Sequence, residues 1–154
     1  MLKVLVADEE KIAQDTIALL LENEADVEVL PGIKEGRQAL EICRKNQVDI
    51  IFLDVDIPGI DGLALAQILT QQCPVIFVSS HKEYALDAFE LNAVDYLLKP
   101  FDADRFYRAF NKARAKLQTD RDNKVQDMVS LVQHLMAKQE KTYKNRLVIK
   151  DPGH

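Results

Sequence analysis

Along the first 118 positions, short apolar runs alternate with longer segments in which apolar residues recur with the period of a helix. The apolar runs predict five buried strands, because a strand covered on both faces reads as a nearly continuous hydrophobic stretch. These strands are predicted at residues 2–7, 26–30, 49–53, 74–78 and 94–98. The other segments place apolar residues on one face of a helix and predict helices at residues 11–22, 34–45, 63–71, 82–91 and 103 to about 117, the last with Asp102 as its N-cap.

Strands that alternate with helices predict a doubly wound α/β fold with a parallel sheet covered on both faces. Ligands of such folds bind at the carboxyl ends of the strands, near the switch in strand order. Polar residues stand at four of these ends: Asp8, Glu9 and Glu10 after the first strand, Asp54 and Asp56 at the third, Ser79 and Ser80 at the fourth, and Lys99, which is followed by Pro100, at the fifth. Any one of these could simply end its strand, but four ends that agree indicate a common site.

The chemistry expected of this site follows from its charge. Carboxylates gathered in one cleft repel one another, which favours a protonated carboxyl or a bound cation, and oxygen ligands suit Mg²⁺. A carboxylate beside Mg²⁺ can attack a phosphoryl group and form an acyl phosphate. Asp54 is the expected acceptor because it ends the most apolar strand, and Asp8 and Glu9 are then expected on the metal side. Lys99 would supply a second positive charge and Ser79 a hydrogen bond to the phosphoryl oxygens.

Residues 1 to about 118 resemble the receiver domains of two-component response regulators. The resemblance rests on LVADEE at the first strand, IIFLDVDIPGIDGL around Asp54, FVSS at the fourth strand and DYLLKPF at the fifth. It implies a flavodoxin-like (βα)5 fold with strand order 2-1-3-4-5 and phosphorylation of Asp54 by a sensor histidine kinase. It also implies a phosphorylation-controlled switch, with slow self-catalysed phosphoryl transfer and hydrolysis, and not a turnover enzyme.

The same resemblance implies roles for individual residues. Glu9 and Asp54 would bind Mg²⁺ directly, Asp8 mainly through water, and the backbone carbonyl of Asp56 would complete the protein ligands. Ser79 and Tyr96 would be the switch pair, and Lys99 would contact the phosphoryl group. Glu9 stands where aspartate is commonest in the family, and Ser79 where threonine is more frequent. A cis Lys99–Pro100 bond would aim Lys99 into the cleft, although trans is the commoner isomer.

The stretch SSHKEYALDAFELNAVDYLLKPFDADRFYRAF resembles a narrower group, the LytTR-type regulators, which carry a β-rich DNA-binding domain after the receiver. We therefore expect a receiver at residues 1–118, a helical linker at 119–142, and the truncated start of that effector domain at 143–154. DNA contact is expected only through the missing domain. The charge is uneven, with −11 over residues 1–102 and +6 over 103–154, and the basic part fits a nucleic-acid contact or a solvated helix.

The linker carries an apolar stripe in which Val125, Met128, Val132 and Leu135 follow a spacing of 3, 4 and 3, widened by Val129 and Met136. The stripe could pack on its own domain or form the seam of a homodimer. We prefer the second interpretation because a stripe beyond a complete fold needs a partner to cover it. The acidic helix at 82–91 and the basic helix after Ala103 could complement each other in the same dimer.

Several classes are excluded or left as alternatives. No apolar run approaches the roughly 18 residues of a membrane span, the first residues lack a signal-peptide cleavage site, and two cysteines without CxxC spacing predict neither zinc nor disulfides. A cytoplasmic protein with reduced thiols is expected. A Mg²⁺-dependent aspartyl phosphatase using Asp54 and Asp56 is the alternative function, and a dimerisation module with an inert cleft is a third.

Overall fold

Five parallel strands form the centre of the molecule. The computed structural model describes the backbone of residues 1–144 and the side chains of residues 1–138. The strands are β1 (Leu2–Ala7), β2 (Val27–Val29), β3 (Ile50–Asp54), β4 (Val75–Ser79) and β5 (Asp95–Leu98), and their order in the sheet is β2-β1-β3-β4-β5. Every neighbouring pair is parallel. The predicted flavodoxin-like fold and strand order are confirmed.

Helices connect the strands and cover both faces of the sheet. They are α1 (Lys11–Leu21), α2 (Gly36–Lys45), α3 (Gly62–Leu69), α4 (Ala85–Glu90) and α5 (Ala103–Lys144), and a 3-10 turn at Lys82–Tyr84 leads into α4. Side chains fix several of their starts. Asp102 accepts a hydrogen bond from the backbone N–H of Arg105 at 2.8 Å, as an N-cap should, and Glu35 and Gln38 form a capping box at α2.

The alternating side chains of the strands build two apolar layers, because successive residues of a strand face opposite sides. One layer joins residues such as Leu5 and Leu53 to α2, α3 and α4. The other joins residues such as Phe52 to α1 and α5, where the rings of Phe52 and Phe106 stack at 5.3 Å. β3 is buried along its whole length, so the position of its last residue is firmly fixed.

The chain divides into a first compact unit, Met1–Leu117, and a second that begins at Gln118. Helix α5 is continuous to Lys144, and residues 119–142, predicted as a helical linker, lie within it. Of the range 143–154, predicted as the start of an effector domain, residues 143 and 144 belong to α5 and residues 145–154 lie outside the described residues. No helix in the described part of the chain is long and apolar enough to cross a membrane.

Candidate functional site

Two buried aspartates form the base of a cleft at the carboxyl edge of the sheet. Asp8 follows β1 and Asp54 ends β3, and these strands pair in register through Ala7 and Leu53. Asp8 is 1% exposed and Asp54 is 7% exposed. Since neighbouring parallel strands end at the same edge, their pairing brings the two carboxylates together, as the sequence predicts.

Lys99, which directly follows β5, forms ion pairs with the acidic side chains of the site. Its Nζ lies 2.8 Å from Asp8 Oδ2, 2.8 Å from Glu10 Oε1 and 3.7 Å from Asp54 Oδ2. The contact with Asp8 is a close ion pair, and Lys99 also donates a hydrogen bond to Glu10. Burial lowers the pKa of Lys99, but the contacts with Asp8 and Glu10 outweigh it, so the pKa lies above its usual value. Lys99 is therefore held as a cation.

The buried and charged surroundings of the site shift the pKa of Asp54. Burial raises the pKa of the Asp54 carboxyl to about 6, and repulsion by Asp8 and Asp56 adds to the rise. The backbone N–H of Asp56, which donates to Asp54 Oδ1 at 3.0 Å, and the charge of Lys99 oppose it. A second cation beside Asp54 would therefore stabilise the carboxylate form.

The arrangement of oxygen atoms suits a hard divalent ion. Carboxylate oxygens of Asp8, Glu10 and Asp54 all lie within 4.8 Å of one another. Mg²⁺ takes oxygen ligands, is usually bound by one or two carboxylates and keeps several waters. Glu9, which the sequence analysis named as a ligand, is exposed and does not join this group among the described residues. Its role, like that of the Asp56 carbonyl, stays a prediction.

Glu10 was not assigned a role from the sequence. The β1–α1 turn directs it to Lys99, and its backbone N–H donates to Asp8 Oδ1 at 2.9 Å. The hydrogen bond with Lys99 lowers the pKa of Glu10. Three consecutive acidic residues gave no signal to separate Glu9 from Glu10, because the choice depends on the shape of the turn.

The predicted switch residues meet at the main chain of His81. The fully buried Ser79 hydroxyl accepts a hydrogen bond from the His81 N–H at 2.9 Å, and the Tyr96 hydroxyl donates to the His81 carbonyl. The His81 ring lies 3.3 Å from Asp56 Oδ2 and 3.4 Å from Glu83 Oε1. His81 thus connects Ser79, Tyr96 and Asp56; its place near the site is expected from the sequence, but its contacts with Ser79 and Tyr96 are not.

The main chain at both ends of the site is also fixed. The Lys99–Pro100 bond, whose isomer the sequence left open, is cis. Gln14 is buried and its Nε2 donates to the carbonyls of Asp8 at 2.7 Å and Ile33 at 3.1 Å. A Cβ at Gly32 would lie 2.2 Å from Gln14 Oε1, so glycine leaves the space that this amide occupies.

Comparisons with known proteins agree with the geometry. The family model described as the response regulator receiver domain matches residues 4–111. Sensory transduction protein LytT of Bacillus anthracis is 38% identical over 122 residues, which cover 77% of this chain and 50% of that protein. Transcriptional regulatory protein YpdB of Escherichia coli K12 is 35% identical over 120 residues, which cover 76% and 49%.

A solved structure shows the same fold. The response regulatory domain of protein MrkE from Klebsiella pneumoniae superposes with a TM-score of 0.71 at 33% identity, covering 77% of this chain and 99% of that one. The chain spans about half the length of the curated relatives it matches.

Proposed function

This chain belongs to the response regulator receiver domain family, and on that basis we propose that Asp54 accepts a phosphoryl group from a sensor histidine kinase. The observation that carries the proposal is the placement of Asp54 at the end of the fully buried β3, with the Lys99 ammonium 3.7 Å away. A rigid carboxylate beside a fixed cation is suited to attack phosphorus, because the charge of the transferred group meets a positive partner already in place.

The transfer exchanges one bond for another. An oxygen of Asp54 forms a P–O bond as the P–N bond of the kinase phosphohistidine breaks, and the imidazole keeps the electron pair and takes a proton from solvent. Lys99 and the Ser79 hydroxyl then contact phosphoryl oxygens. Their positions at the ends of β5 and β4 support these roles. The chain acts as a switch with slow self-catalysed phosphoryl transfer and hydrolysis, and not as a turnover enzyme.

Mg²⁺ is the cofactor that we propose, bound by Asp8, Asp54, the carbonyl of Asp56 and one of the two glutamates that follow Asp8. When bound, it would neutralise charge on the phosphoryl oxygens. The sequence favours Glu9 as the glutamate, whereas the distances bring Glu10 to the other two carboxylates. Calorimetric titration with Mg²⁺ of Glu9→Gln and Glu10→Gln, which differ only in position, identifies the ligand as the variant with the larger loss of affinity.

The output of the switch is a change in the conformation of Ser79 and Tyr96. Both hydrogen-bond to the main chain of His81, so a phosphoryl group that pulls on Ser79 alters the same segment that Tyr96 holds. We propose that this change favours a homodimer through the last receiver helices and the linker helix, and controls a C-terminal transcriptional effector domain in the cytoplasm. The name of YpdB, a transcriptional regulatory protein, supports this output. DNA contact belongs to that effector domain.

Phosphoryl uptake from acetyl phosphate in the presence of Mg²⁺ tests the proposal. Intact-protein mass spectrometry should detect one added phosphoryl group on the unaltered chain and none on Asp54→Ala. Asp15→Asn removes an exposed aspartate of α1 and should leave uptake unchanged. Phosphate that persists on Asp54→Ala would disprove the acceptor assignment. Repeated turnover of a phosphate ester would instead support the aspartyl phosphatase that uses Asp54 and Asp56.

A further inference from the structure

The second unit carries an apolar surface that nothing in the described part of the chain covers. We call it the tail stripe, and it consists of Val125, Met128, Val129, Leu131, Val132, Leu135 and Met136. These side chains are between 41% and 66% exposed, and every residue from 121 to 138 is exposed. A contiguous apolar surface of this kind on a helix marks a site of association.

The order of side-chain shapes within the stripe indicates what covers it. In heptad notation Val125 and Val132 occupy a positions, and Met128 and Leu135 occupy d positions. β-branched residues at a with leucine-like residues at d favour two parallel strands over trimers and tetramers. Leu131 and Met136, at g and e, would meet across the same seam and widen it without burying a charge.

The charges beside the stripe point to the same partner. Residues 118–138 carry three acidic and three basic side chains, so this part of the helix has no net charge. A nucleic acid or an anionic membrane surface would call for a polar face rich in lysine and arginine. A second, identical neutral helix meets no electrostatic repulsion, and its stripe matches this one in length and register.

From this pattern we propose that the tail stripe forms a parallel, in-register, two-stranded coiled coil with a second copy of this chain. Val125, Met128, Val132 and Leu135 each face their counterpart across the two-fold axis. The inference rests on the homodimer of the proposed function and deepens its linker-helix contact. This contact forms with or without a phosphoryl group on Asp54, whereas the change at Ser79 and Tyr96 acts on the pairing of the last receiver helices.

Light scattering during size exclusion tests the number of strands. The unaltered chain should have twice the mass of one chain at micromolar concentration, and Val132→Lys together with Leu135→Lys should have the mass of one. Ser130→Lys places one such lysine on the outer face and should remain a dimer. Circular dichroism of each variant records whether the helix persists. A monomeric unaltered chain, a trimer or a tetramer would overturn the proposal, as would a Val132→Lys, Leu135→Lys variant that stays dimeric.

Cysteine cross-linking tests the direction of the strands. Leu135→Cys should form a covalent dimer under mild oxidation, because facing d positions come close enough for a disulfide. Ser130→Cys, on the outer face, should not. An antiparallel pair would keep the two introduced thiols apart and leave Leu135→Cys uncross-linked, which would contradict the parallel arrangement. Asp54→Ala should still dimerise, so loss of phosphoryl uptake and loss of the dimer are separate results.

Discussion

Lys99 and Asp8 form an ion pair with 2.8 Å between Nζ and Oδ2, although two other strands lie between β5 and β1 in the sheet. The Asp8 side chain is 2% exposed and that of Lys99 is 15% exposed. Burying one partner of such a pair alone is costly, because a carboxylate without its cation is poorly stabilised inside a protein. Lys99 therefore stabilises the fold around the acidic cleft, in addition to the phosphoryl contact that we propose for it.

Replacing Lys99 by methionine should destabilise the protein when Mg²⁺ is removed by a chelator. We expect a loss of about 2 kcal/mol in the free energy of unfolding, below the full value for a deeply buried pair because Lys99 is partly exposed. Urea denaturation at neutral pH measures it. Lys45→Met breaks the exposed pair with Glu41, at 3.2 Å, and should change stability by less than about 0.5 kcal/mol. Equal losses in the two variants would contradict a special role for Lys99.

Gln14 and Gly32 should show coupled effects on stability. Gly32→Ala would place a Cβ 2.2 Å from Gln14 Oε1 and displace the amide that holds the carbonyls of Asp8 and Ile33. Each of Gly32→Ala and Gln14→Ala should cost about 1–3 kcal/mol, through lost hydrogen bonds to buried carbonyls. The double variant should cost less than the sum, since the clash disappears with the amide. Additive losses in urea denaturation would contradict this contact.

The sequence predicts the strands best where both faces are buried. β3 was expected at 49–53 and lies at Ile50–Asp54, because an uninterrupted apolar run leaves little choice. β2 was expected at 26–30 but is only Val27–Val29, since it lies at the edge of the sheet and is only partly buried. The helix expected at 34–45 starts at Gly36, because the capping box of Glu35 and Gln38 sets its first turn.

The sequence also predicts some residues of the site better than others. Asp8, Asp54, Ser79 and Lys99 could be placed from the sequence because strand ends of a parallel sheet share one edge. The contacts made by Glu10, Gln14 and His81 could not be placed, because they depend on how the turn after β1, helix α1 and the turn after β4 direct each side chain. Gln14 donates a hydrogen bond to the backbone carbonyl of Ile33, and no local sequence pattern predicts such a contact.

The two thiols should be unreactive in the folded protein. Burial raises the pKa of Cys43 to about 11 and that of Cys73 to about 12. Because the thiolate is the nucleophile, a rise of this size should slow alkylation of Cys43 at pH 8 by about 10-fold, after allowance for the greater nucleophilicity of a thiolate of higher pKa. Ser130→Cys, with its exposed thiol, serves as the fast-reacting control in the same chain. Rapid loss of both native thiols to a thiol reagent without denaturant would contradict their burial.

Asp95 should make stability depend on pH in acid. Burial alone would raise the pKa of Asp95, but hydrogen bonds from Arg105, the Tyr96 backbone and Lys112 outweigh it and lower the pKa to about 2. Arg105 binds both carboxylate oxygens, at 2.7 and 2.9 Å. Since the folded pKa lies below the unfolded value of about 3.9, the stabilisation is present above about pH 4 and is lost as the pH falls toward about 2.

The size of the effect is limited by solvent, because the side chains of Arg105 and Lys112 are 33% and 55% exposed. Asp95→Asn should therefore lower the free energy of unfolding by about 1 kcal/mol at pH 7. The gap between the unaltered chain and this variant should narrow below about pH 4, because the unfolded chain then takes up a proton at Asp95 while the folded chain, with its lower pKa, stays ionised. Asp87→Asn, on an exposed position of α4, should show no such convergence. Urea denaturation from pH 7 to pH 3 measures both gaps, and a gap at Asp95 that stays constant over that range would show that the carboxylate charge is not the source of its stabilisation.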